Sequence, residues 1–106
     1  MAKYLFQGNY VGDGIKGLLK KGGSDRVAAV KEALASIGGN LECFYFAFGE
    51  YDYFIIADLP DQVTAAAVSL AVSASGLLKP RTVVLITPEQ MDEAANKSYA
   101  FRPPGH

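Results

Sequence analysis

Chemistry in this 106-residue chain has few side chains to come from. Glu50, Tyr51 and Asp52 place two carboxylates and a phenol in succession behind Gly49. A paired-carboxylate acid/base site needs both groups to converge on a substrate, with one pKa raised by burial or by its neighbour. Adjacent turn positions do not enforce that convergence. The structural reading gives Gly49 a backbone conformation closed to other residues, has Asp52 hydrogen-bond to turn amides, and packs Tyr51 on a neighbouring subunit. Cys43, the one cysteine, has no cationic or histidine neighbour in sequence to stabilise a thiolate and reads as a small core hydrophobe. The one histidine is His106, the last residue. A Ser-His-Asp triad, a His-rich zinc site and a His-ligated haem therefore all lack their central residue in the core, and neither metal nor cofactor is expected.

Gly12-Asp13-Gly14-Ile15-Lys16-Gly17 matches the dinucleotide pattern GxGxxG, with Glu32 twenty residues beyond Gly12. That pattern works by setting pyrophosphate on the N-terminus of a crossover helix in a larger parallel sheet. Here Gly22, Gly23 and Ser24 restart the helix later, so the segment reads as a flexible loop with a short first helical turn. Lys16, Lys20, Lys21 and Arg26 could make it an anion lid, but their interleaving with Asp13 and Asp25 favours a solvated face.

Four segments must position whatever site exists. Lys3 to Tyr10, Asn40 to Phe48, Asp52 to Leu59 and Arg81 to Thr87 are rich in aromatic or β-branched residues and bounded by Gly, Pro or Asp, which predicts strands. The first helix is predicted from an N-cap at Ser24 through Val27, Val30, Leu34 and Ile37 to the stop at Gly38-Gly39. A second follows Asp61, with Val63, Ala67, Leu70, Ala74 and Leu77 as its apolar face and Gly76 as its end. Thr87-Pro88-Glu89-Gln90 has capping-box spacing and opens a short last helix before a non-helical tail, YAFRPPGH. The order strand, helix, strand, strand, helix, strand is the ferredoxin-like β-α-β-β-α-β pattern of an α+β fold, with an antiparallel sheet. Residues 1–91 form that domain, and 92–106 the end of the last helix and the tail.

The strands are apolar on both faces. Alternation puts Leu41, Cys43, Tyr45 and Ala47 on one side of the second strand and Phe44, Phe46 and Phe48 on the other. The phenylalanines are assigned to the helix side, where the Ala-rich helix Thr64 to Ala74 leaves room for them. Two helices cover only one face of a sheet. The other would expose roughly 400 Å² or more of apolar surface, at the upper limit for a soluble monomer, so a sheet-face homodimer or larger homo-oligomer is expected. The bland alternative is that the last helix and tail fold back over that face. Gln7, Asn9 and Tyr45 are then polar groups in an otherwise apolar interior. With Tyr51 and Asp52 at the hairpin, they are the candidate ligand-binding residues.

Ten Lys+Arg against eleven Asp+Glu give a net charge of −1. That balance argues against nucleic acid and against an anionic membrane surface. A single cysteine, with no signal-peptide pattern at Met1 to Tyr10, leads to the expectation of a cytoplasmic protein.

The hairpin Gly49-Glu50-Tyr51-Asp52 is preceded by Gly14-Ile15-Lys16, Gly38-Gly39 and Phe44-Tyr45 and followed by Pro60-Asp61 and Arg81-Thr82. In that order and spacing these residues resemble the GYD domain family, from about Tyr4 to Met91. The resemblance implies the dimeric α/β-barrel superfamily, in which two ferredoxin-like sheets face each other around a pocket. Its relatives include cofactor-free oxygenases, isomerases, haem enzymes and ligand-sensing modules, so a fold is implied but no single reaction. The segment before Ser24 and the tail after Met91 depart from the family pattern.

Three functions follow for comparison. The first is a small-molecule-binding or sensing homo-oligomer that holds a small apolar organic ligand, neutral or weakly polar, without metal, haem or nucleotide. The second is a cofactor-independent oxygenase or isomerase in which Tyr45 or Asp52 moves a proton. The third is a purely structural oligomer.

Overall fold

The computed structural model describes all 106 residues, Met1–His106. Its elements in chain order are β1 (Ala2–Tyr10), α1 (Asp13–Lys21), α2 (Gly23–Ala35), β2 (Asn40–Phe46), β3 (Tyr53–Leu59), α3 (Gln62–Ala74), β4 (Leu78–Leu85) and α4 (Pro88–Ala95). The four strands form one antiparallel sheet in the order β2-β3-β1-β4, consistent with a ferredoxin-like α+β fold.

Local chemistry explains the helix starts. Asp61 is extended at the N-cap of α3, and its Oδ1 accepts from the Thr64 amide at 2.8 Å and the Thr64 hydroxyl at 2.7 Å. Those bonds satisfy a free first-turn donor and hold the carboxyl below its ordinary pKa. At α4, Thr87 and Gln90 form the expected reciprocal capping box behind Pro88. The segment expected to be a loop is instead a nine-residue helix, α1. Gly12 and Gly22, at φ 51° and 83°, supply the left-handed backbone that bounds it and separates it from α2.

Strict alternation in the two central strands builds the core. Tyr4, Phe6, Gly8 and Tyr10 of β1, with Tyr53, Ile55, Ala57 and Leu59 of β3, point to the helix layer and are buried. Leu34 of α2 and Ala65 of α3 close on them. Each fully buried large side chain stabilises the fold by about 1.5–3 kcal/mol.

The edge strands depart from the simple reading. In β2 the register shifts between Leu41 and Cys43, so Glu42 is an extra residue. Leu41 opposite Ala57 then joins the helix side, while Cys43 and Tyr45 opposite Ile56 and Phe54 face away. Lys3 anchors this bulge, its Nζ lying 3.1 Å from Glu42 Oε2 and 3.0 Å from Asp58 Oδ1. Phe44 and Phe46 do face the helix layer, but β2 packs under α2 and not under the Ala-rich α3. The Phe46 ring comes within 3.0 Å of where a Cβ on Gly23 would stand, which is why α2 starts with glycine there. Phe48 lies beyond the strand and is fully exposed. Strand β4 begins at Leu78, three residues before Arg81, because Pro80 is tolerated on an edge strand.

The last helix and tail do not fold back over the sheet. Helix α4 makes no extensive packing with any other element, and Met91, Tyr99 and Phe101 are exposed. The radius of gyration is 16.8 Å, against about 13 Å for a compact chain of this length.

Candidate functional site

The sheet has two faces and each gathers a different set of groups. Between the helix layer and the sheet lies a cavity of about 290 Å³, in which 13 of the 16 lining residues are hydrophobic. Helix α2 supplies Arg26, Val30, Ala33 and Leu34, spaced so that they share one face, and the turn after it adds Ile37; α3 supplies Ala67, Val68, Ala71 and Val72. The small alanines of α3 leave the space open. Phe6, Tyr10, Tyr53 and Ile55 form the floor.

Few polar groups reach this cavity. Ser69 and Thr82 hydrogen-bond each other across α3 and β4 through their hydroxyls and are thereby satisfied. Arg26 is satisfied only in part: its guanidinium reaches the Tyr10 hydroxyl, but its Nε is shielded from solvent without a hydrogen-bond partner, and no carboxylate forms an ion pair with it. Leaving such a donor unmet costs about 1–3 kcal/mol, more when the group is charged. Beside it stand two phenols, Tyr10 and Tyr53, their rings tilted at 58° with centroids 5.2 Å apart. Burial pushes the Tyr53 hydroxyl up to about pKa 12, helped by Tyr10 and Asp52 and opposed by the Arg26 charge. Burial raises Tyr10 as well, and Arg26 again opposes the rise. Both phenols are therefore neutral hydrogen-bonding groups near neutral pH.

The opposite face carries Gln7, Tyr45 and Tyr51. Register places Tyr45, Phe54, Gln7 and Arg81 in one row across the four strands. Tyr51 leans over the end of that row: its hydroxyl accepts from Arg81 Nη1 at 2.8 Å, and its ring meets Phe54 edge-on at 6.1 Å. Asn9 is on the same face, but its Nδ2 donates to the Glu50 carbonyl at 3.0 Å and so fastens the hairpin. Beside this row, Cys43, Ile56, Leu5 and Val83 form a second, wholly apolar one.

With the β3 and β1 positions fixed, the hairpin at Gly49 to Asp52 can be placed. The sequence model of the GYD domain matches residues 4–95. The chain belongs to the GYD domain family. No curated protein and no solved structure gives a significant match. The matched residues run to Ala95, where α4 ends.

Within the GYD hairpin, Gly49 does not occupy the left-handed region, so its backbone is open to other residues, contrary to expectation. Asp52 has the expected structural bond but to a different amide: Oδ2 accepts from Tyr10 N–H, in β1, at 3.0 Å. Its side chain thereby turns from the open face toward a shallower hollow of about 390 Å³ between α1 and β2, with Ile15, Leu18, Leu19, Phe46 and Phe48. The five candidate residues thus divide. Gln7, Asn9, Tyr45 and Tyr51 share the open face, and Asp52 does not join them. None of the five lines the helix-side cavity.

Sequence reading missed Arg26 and Arg81 as site residues. Arg26 was grouped with the lysines of the preceding segment, yet Lys16 lies apart in an exposed pair with Asp13 at 3.6 Å. The usable signal was its spacing of four, seven and eleven residues from Val30, Ala33 and Ile37. Arg81 sits mid-strand in β4 once that strand begins at Leu78.

Proposed function

We propose that this GYD domain is a small-molecule-binding module that works as a cytoplasmic homodimer. The observation that carries the reading is the apolar cavity of about 290 Å³ between α2, α3 and the sheet. Its volume is roughly twice that of a cavity which holds a benzene ring, and its lining of many apolar and few polar groups is that of an organic-ligand site. The unpaired Cys43 suits a reducing compartment.

Dimerisation rests on surface arithmetic. The chain exposes 7528 Å², whereas a compact 11.3 kDa monomer is expected to expose about 5,700 Å². Part of this excess of about 1,800 Å² belongs to the projecting α4 and tail and part to the uncovered sheet face, where a standard interface takes ~800 Å² from each partner. Leu5, Ile56, Val83 and Phe54 offer the apolar centre for a second copy. The oxygenase or isomerase reading has less support, because neither of its proton carriers, Tyr45 and Asp52, lines the cavity, and the Asp52 carboxylate is committed to the Tyr10 amide.

A thermal-shift screen of bicyclic aromatic fragments tests the ligand site. Fragments should raise the melting temperature of the parent protein and lose that effect in Ala71→Phe, which fills the cavity from α3. No stabilising fragment, or undiminished stabilisation of Ala71→Phe, would overturn the reading.

A further inference from the structure

The helix-side cavity is polar at one end only. Arg26 lies in the first turns of α2, next to Tyr10 and Tyr53, and the stripe that follows it, Val30 and Ala33 along the helix and Ile37 in the turn beyond, is aliphatic. Ser69, the other hydroxyl in the lining, is engaged by Thr82. The free hydrogen-bonding capacity of the cavity is therefore concentrated at a guanidinium flanked by two phenols. A side chain with five N–H donors and no acceptor can be satisfied only by acceptors, and best by a planar carboxylate.

We infer that the cavity takes a small monocarboxylic acid with an apolar aromatic or aliphatic body, its carboxylate on Arg26 between the hydroxyls of Tyr10 and Tyr53 and its body along Val30, Ala33 and Ile37. The inference rests on the ligand-site reading above and adds the ligand's charge and orientation.

Three observations narrow the class. The buried Nε of Arg26 lacks any partner within the chain, so a ligand acceptor there replaces nothing. Asp52, whose charge also reaches both phenols, is committed to the Tyr10 amide and forms no ion pair with Arg26. The volume, about 290 Å³, suits a body of one or two rings or a medium acyl chain. One guanidinium also balances one negative charge, which favours a monocarboxylate over a phosphate ester. The sequence inventory anticipated a neutral ligand because the strands offer only phenol, amide, thiol and aliphatic groups. The charged group comes from the helix.

The test uses the full chain and two matched probe pairs, 3-phenylpropanoate with 3-phenylpropanamide and octanoate with octanamide, by isothermal titration. Each acid should bind about ten-fold or more tightly than its amide, the advantage of a charge-assisted bond over a neutral one. Arg26→Gln should bring acid and amide to equal affinity while amide binding persists. A second readout is tyrosine emission, which comes from six tyrosines in a chain without tryptophan: it should change with the acids more than with the amides, and that difference should be lost in Tyr10→Phe. Amides that bind as tightly as acids, or an acid preference retained in Arg26→Gln, would overturn the carboxylate assignment and leave the ligand site standing. No binding by any of the four probes would overturn both.

Discussion

The carboxylate of Asp52 and the amide of Tyr10 tie the GYD hairpin to the end of β1: Oδ2 accepts from Tyr10 N–H at 3.0 Å while the Asp52 amide donates to the Gly8 carbonyl at 2.8 Å. One residue thus continues the β1·β3 ladder past its last paired position and closes the floor on which the Tyr10 and Tyr53 rings lie. Asp52→Ala is expected to lose about 1 kcal/mol of stability, since it leaves a half-buried amide without its acceptor. Asp52→Asn keeps an acceptor oxygen and should retain most of that stability. Urea denaturation of both variants checks the order. Two variants as stable as the parent would remove the structural role.

The open face predicts an oligomer. Leu5 sits at the centre of the apolar row, opposite Ile56 on one side and Val83 on the other. Leu5→Lys places an unpaired charge in the middle of the proposed dimer surface and should convert a dimer of twice the 11.3 kDa chain mass into a monomer at micromolar concentration. Tyr45→Arg, on the same face, should weaken the dimer by several kcal/mol where that row is desolvated. Light scattering decides, and a parent protein that is itself a monomer would refute the sheet-face assembly.

Gly8 and Gly17 make a matched pair of opposite sign. A Cβ at Gly8 would meet the Lys79 carbonyl of β4 and lie 2.6 Å from the Tyr53 hydroxyl, so the ring of Tyr53 crosses β1 only because that position has no side chain. Gly8→Ala is expected to cost about 3 kcal/mol, the upper end for overpacking, because one obstacle is backbone. At Gly17, within α1, nothing stands within 4 Å of a Cβ. Gly17→Ala should stabilise α1 by about 0.5–1 kcal/mol. Thermal melts of the two variants should move in opposite directions.

What the sequence made legible follows from where local and non-local forces agree. In β1 and β3 the two-residue period and the β propensity both point to the observed strands, and Tyr4, Phe6, Ile55 and Leu59 are buried as alternation requires. At Asp61 and Thr87 the caps are local bonds, written in three or four residues. Leu41 was not legible, because its face depends on a bulge held by Lys3 from another strand. Phe48 shows the same limit: alternation says where a strand residue would point, but not that pairing stops at Phe46. The candidate site divided for a related reason. Asp52 and Tyr51 are neighbours in sequence, yet Tyr10 N–H draws one and Arg81 the other, from strands on either side of the sequence gap.

Alkaline pH should reveal the buried phenols. The Tyr53 hydroxyl, in a side chain only 2% exposed, is pushed up to about 12, chiefly by burial. Its unfolded value is about 10. The folded state therefore binds this proton more tightly than the unfolded state, and the unfolded chain ionises first as pH rises. The contribution to stability is fully present below about pH 10 and is lost between about pH 10 and 12, amounting to roughly 2 kcal/mol. Tyr10 is shifted in the same direction and adds to the loss. Other groups titrate in this range, so the comparison with Tyr53→Phe isolates the effect. Denaturant melts across this range should show a shallower decline for the variant, and tyrosinate absorbance should show its latest-ionising phenol removed. Parallel declines in the two proteins, or a Tyr53 that ionises with the exposed tyrosines, would mean that the helix-side floor is open to water.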